Sequence, residues 1–94
     1  MARIDLSRSH SLGLDGARRA ADDVAARLRR DYGVETRWEG DSVHVAGRGI
    51  TGRLDAAPET VRVTAALGFA ARPFRRALER EIERELDREL GPSS

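Results

Sequence analysis

The chain has 94 residues, 39% of them hydrophobic and 35% charged, which suits one soluble domain with a single modest core. Its formal net charge of +1 gives no strong overall field toward nucleic acid or an anionic membrane. The absence of cysteine excludes disulfides, a thiolate nucleophile and cysteine-ligated zinc.

Residues Arg3 to Ser9 alternate Ile4 and Leu6 against Arg3, Asp5 and Ser7, which predicts a short half-buried strand. No apolar run of signal-peptide length occurs there, and none elsewhere nears the ~20 residues of a membrane span. A cytoplasmic protein is expected. Ser9, Ser11 and Gly13 mark a turn, with Ser11 or Gly13 as candidate helix cap. From Leu14 to Tyr32 the apolar residues Leu14, Ala17, Ala21, Val24, Ala25, Leu28 and Tyr32 recur in steps of three and four. That spacing is one face of an amphipathic helix, and Gly33 supplies a left-handed stop.

Four short strands follow: Val34 to Glu39, Ser42 to Ala46, Ile50 to Asp55 and Val61 to Leu67. Each alternates apolar and polar residues, and the brief turns between them imply an antiparallel meander with one apolar face. A last helix is expected after Gly68, with Pro73 in its first turn. Phe74, Leu78, Ile82, Leu86 and Leu90 repeat every fourth residue there, a narrow ridge that winds by about 40° per step. Arg76, Arg80, Arg84 and Arg88 form one charged column, and Glu81, Glu85 and Glu89 another. Opposite charges three apart, from Arg76–Glu79 to Glu85–Arg88, predict a solvated face laced with ion pairs. A disordered tail over Gly91 to Ser94 closes the chain.

Strand, helix, four-strand meander and helix give a two-layer α+β sandwich. It has a mostly antiparallel five-stranded sheet and both helices on one face. The first strand could lie at either end of the meander.

Few residues suggest chemistry. Gly47-Arg48-Gly49-Ile50-Thr51-Gly52 matches a dinucleotide-binding pattern, but it joins two strands instead of opening a helix and reads as a hairpin turn. His10 and His44 lack the companions a metal site needs, so no metal and no cofactor are expected. No Gly-x-Ser-x-Gly elbow is present. The carboxylates of the last helix, interleaved with arginines, give no reason for a raised pKa. All seventeen basic residues are arginine, which with plentiful Ala, Gly and Asp reads as compositional bias. Glutamates flank the arginine column, so nucleic acid is not an expected partner. The four aromatics, Tyr32, Trp38, Phe69 and Phe74, read first as core.

His10-Ser11-Leu12-Gly13-Leu14, Ala17-Arg18, Arg37-Trp38-Glu39-Gly40-Asp41 and Gly49-Ile50-Thr51-Gly52-Arg53 closely resemble a bacterial family. So do Leu67-Gly68-Phe69, Arg72-Pro73-Phe74 and Glu81-Ile82-Glu83-Arg84-Glu85-Leu86-Asp87. The family is that of the polyhydroxyalkanoic acid system proteins, and the blocks keep its order over almost the whole chain. The resemblance implies a link to storage-polyester granules and brings no catalytic residue set with it. The polyester synthases use a cysteine nucleophile and the depolymerases a serine elbow, and this chain has neither.

The expectation is therefore a non-enzymatic accessory or regulatory protein that binds a protein partner or the polyester granule surface. The candidate surface is Phe69, Arg72, Phe74, Leu86 and Leu90, with Trp38 added if exposed. Two alternatives are a ligand pocket lined by Trp38, Leu54 and Phe74, and a homodimer paired through Leu78, Ile82, Leu86 and Leu90.

Overall fold

A computed structural model describes residues 2–91. Along them run β1 (Ala2–Ser9), α1 (Gly13–Tyr32), β2 (Glu35–Glu39), β3 (Ser42–Gly47), β4 (Ile50–Ala56) and β5 (Thr60–Leu67). A 3-10 turn (Arg72–Phe74) then leads into α2 (Arg75–Leu90). Past Gly91, the tail expected to be disordered lies outside the described residues. The strands form one sheet in the order β1-β5-β4-β3-β2, with every neighbouring pair antiparallel. The predicted two-layer α+β sandwich is what forms, and β1 takes the edge beside β5.

Register explains which side is apolar. Directly opposed residues share a face, so Leu6, Val63, Leu54, Val43 and Trp38 make one row across the sheet. Ile4, Ala65, Gly52, Val45 and Thr36 make the next. Both rows lie beneath the helices, and Ile4, Val43, Val45, Leu54 and Val63 are buried there. On the other face run Asp5, Thr64, Arg53, His44 and Arg37, polar and open to solvent. Alternation with period two dictates this split.

Helix α1 buries Ala17, Ala20, Ala21, Val24, Ala25 and Leu28. The alanines let it settle close on β3 and β4. Helix α2 buries Leu78, Ile82 and Leu86 against α1 and β1. One continuous cluster joins these residues to Ile4, Val61 and Leu67.

Neither expected cap closes the start of α1. Instead the Leu12 N–H donates to His10 Nδ1 at 3.1 Å, and His10 Nε2 donates to the Ala57 carbonyl at 3.2 Å. His10 thereby ties the β1–α1 and β4–β5 connections together. At the other end Gly33 adopts φ 67° and its N–H bonds to the Arg29 carbonyl, a left-handed stop. The glycine-rich stretch is a hairpin turn, with Arg48 at φ 56° and Gly49 at φ 78°. Gly52 sits mid-strand for a different reason. A Cβ there would lie 2.6 Å from the Thr64 carbonyl oxygen and 3.1 Å from the Ala65 Cβ.

Candidate functional site

The end of α1, the β3–β4 turn and the β5–α2 connection meet at one end of the molecule. Short hydrogen bonds fix that connection. Gly68 N–H reaches the Gly49 carbonyl at 2.8 Å, and Ala71 and Arg72 N–H both reach the Gly68 carbonyl. Ala71 is thereby drawn inward beside Gly49 and buried. The 3-10 turn that follows advances three residues per turn, so Phe74 falls out of phase with the buried stripe of α2. Phe69 is 87% exposed and Phe74 57%, a result opposite to the core role expected of them. Beside Phe74 runs an open groove of about 570 Å³, floored by Tyr32, Ile50, Ala70 and Ala71 and rimmed by Arg30 and Arg48.

Of the six candidate residues, this end gathers Phe69, Arg72 and Phe74, all exposed. Leu86 is 0% exposed and belongs to the core, because α2 packs that face against α1 and the edge strand β1. Leu90 is half-buried against that core at the far end of α2. Trp38 is half-buried too, among the residues of the opposite end. Its Nε1–H donates to Asp22 at 3.1 Å, and the Arg18 guanidinium lies 4.3 Å from the ring centroid. Arg18 in turn pairs with Asp41 at 2.7 Å, so the indole is covered.

The expected ligand pocket does not form from its three residues. Leu54 opposes Val43, next to Trp38, whereas Phe74 lies beside Ile50, four residues or about 13 Å along β4. The expected dimer seam is likewise absent, since Leu78, Ile82 and Leu86 all point into their own core.

The charged columns of α2 also differ from expectation. At about 100° per residue, Glu89 falls within about 20° of Ile82 around the helix, so its column turns inward. Glu85 is only 7% exposed. Arg27 of α1 grips this column, with Nε donating to Glu81 at 2.8 Å and a second nitrogen to Glu85 at 3.3 Å. The Glu81 hydrogen bond holds the Arg27 guanidinium above its ordinary pKa. Burial, helped by Glu81, pushes the Tyr32 phenol up to about 12. On the other flank Arg8 of β1 reaches Glu83 and Asp87 at 3.7 and 3.6 Å. Among the five expected pairs three apart, Glu85–Arg88 forms, at 3.3 Å. Glu79 pairs with Arg75 within α2 at 3.6 Å, while Glu81, Glu83 and Asp87 serve contacts between elements.

One carboxylate is strongly perturbed. Glu89 is pushed up to about 7, first by its hydrogen bond with Asp23 of α1, then by burial and the Asp23 and Glu85 charges. A raised acid favours the fold fully below its ordinary 4.5, and that contribution is lost as pH rises through about 7. Glu89→Gln should therefore raise the melting temperature above pH ~7.5 and change it little near pH ~5. Thermal unfolding across that range checks this. A variant that tracks the parent at every pH removes the Asp23–Glu89 repulsion as its cause.

A family model described as "Putative polyhydroxyalkanoic acid system protein" matches residues 4–90, from within β1 to the last residue of α2. No curated protein matches the sequence. Among solved structures, the NMR structure of PA4090 from Pseudomonas aeruginosa is similar with a TM-score of 0.61. The match covers 99% of this chain and 88% of that one at 13% identity, a likeness of fold.

Proposed function

Because this chain belongs to the polyhydroxyalkanoic acid system protein family, we propose that it is a non-catalytic accessory protein of polyhydroxyalkanoate metabolism. It docks on the storage-polyester granule through the end that carries Phe69, Arg72 and Phe74. The observation that carries this reading is the pair of exposed phenyl rings held on a turn that hydrogen bonds keep rigid. Two large apolar side chains held in water on one short connection support an interaction site there. A role without catalysis is supported by where the polar groups go. Arg8, Arg27, Glu81, Glu83, Glu85 and Asp87 join helices to one another or to the sheet, and His10 ties two turns. Among the described residues no helix is long and apolar enough to cross a membrane.

Co-sedimentation with native and with protein-stripped polyester granules tests the reading. Wild-type protein should pellet with granules, and Phe69→Ser/Phe74→Ser should lose about tenfold or more, the effect of two phenyl rings no longer buried. Binding to stripped granules identifies the surface itself as the dock, and binding to native granules alone identifies a resident protein. A double variant that pellets as well as wild type would remove these rings from the mechanism.

A further inference from the structure

The net charge of +1 conceals a separation of charge along the molecule. The Cα extents are 37 × 26 × 21 Å, and only the longest can hold the ~30 Å length of α1, so helices and strands run along it. At the aromatic end, Arg30 pairs with Asp31 at 3.2 Å and Arg75 with Glu79 at 3.6 Å. Arg48, Arg72 and Arg76 have no acidic partner among the described residues, and all three are exposed. At the opposite end, where α1 begins and α2 finishes, Asp41 pairs with Arg18 and Asp87 with Arg8, while Asp15 and Glu59 have no arginine partner among the described residues and Arg19 is exposed beside them. Total charge describes the whole molecule, and the aromatic end sets three unpaired arginines against the single unpaired acid Glu35.

Arg48 adds a second observation. It occupies φ 56° in a tight turn where Asn or Gly would sit without strain. That geometry places a guanidinium at the rim of the groove beside Phe74. Unpaired arginines around protruding phenyl rings are the chemistry of a lipid-water boundary. The rings enter the acyl layer while the guanidinium groups meet phosphate oxygens.

We propose that the Phe69–Phe74 end binds an anionic lipid surface. The inference rests on the granule-docking reading and names the chemistry of the surface met there. Three unpaired guanidinium groups beside two exposed phenyl rings favour a surface of anionic headgroups lying over an acyl layer.

Flotation with phosphatidylglycerol–phosphatidylcholine vesicles, against pure phosphatidylcholine vesicles, tests this without any polyester. The full chain should float with the anionic vesicles and not with the neutral ones, and added salt should weaken it. Arg48→Gln/Arg72→Gln should reduce binding at low salt by about tenfold, and Phe69→Ser/Phe74→Ser by as much again. All four side chains are exposed, so circular dichroism should show parent-like folding in both variants. Equal binding to both vesicle types, or binding to neither, overturns the proposal. Granule binding without vesicle binding overturns the lipid inference and leaves the granule reading standing. Vesicle binding without granule binding does the reverse.

Discussion

Leu86→Asp should unfold the protein, not merely detach it from a surface. Leu86 is 0% exposed at the heart of the α2 contact with the sheet and α1. Truncation to alanine alone should cost about 2–5 kcal/mol, through lost burial and a residual cavity. An aspartate adds an unpaired buried charge, and Glu85 and Glu89 already crowd that stretch of α2 with negative charge. Against the ~5–15 kcal/mol that holds a domain of this class together, nothing stable remains. Leu86→Ala should stay folded with a melting temperature lower by roughly 10–30 °C. Leu90→Asp, half-buried at the end of the helix, should fold with a smaller loss. Circular dichroism melts of the three variants decide the matter. A cooperative Leu86→Asp melt near the parent temperature would show that α2 is not the structural element described above.

The second large effect is expected at Gly52. Elsewhere an added methyl group often finds room, but here it meets a carbonyl oxygen at 2.6 Å. That oxygen belongs to Thr64, whose strand is hydrogen-bonded to β4, so it cannot withdraw without straining the ladder. Gly52→Ala should therefore destabilise by about 1–3 kcal/mol, even though alanine normally stabilises a chain relative to glycine. Denaturant unfolding should show a lower midpoint with an unchanged slope, because the surface exposed on unfolding is the same. An unchanged midpoint would mean the β4–β5 contact yields more easily than its geometry implies.

Local rules made most of the fold readable. Alternation located all five strands, steps of three and four located α1, and Gly33 closed it. The pairing of β1 was not readable, because alternation names the face a strand buries and not its neighbour. Other misreadings share a physical cause. A helix turns by about 100° per residue, so columns drawn every fourth residue drift around it. That drift carries Glu85 and Glu89 under α1 and Leu90 toward the edge. Three of the candidate site residues, Phe69, Arg72 and Phe74, lie exposed on one short connection, a nearness that their sequence positions already imply. Their exposure was hidden in the 3-10 turn, which breaks the helical phase before Arg75. Arg48 could have been noticed from its place between two glycines, where a bulky residue is out of character. Its position next to Phe74 depends on the tertiary packing of two distant turns.

The pairing of β1 with β5 has a further consequence, for the order in which the chain can assemble. The ladders β2–β3, β3–β4 and β4–β5 each join neighbours across a tight turn, so they close small loops. The β1–β5 ladder joins residues more than fifty positions apart, from Ser9 with Thr60 to Ala2 with Leu67. Helix α2 then lies across β1, and Arg8 with Glu83 and Asp87 ties the two ends of the chain to each other. Loop-closure entropy is therefore expected to fall mainly on a late step, in which the first strand pairs with the meander and the last helix packs against that strand and α1. The two segments are expected to lose amide-exchange protection together, as one unit.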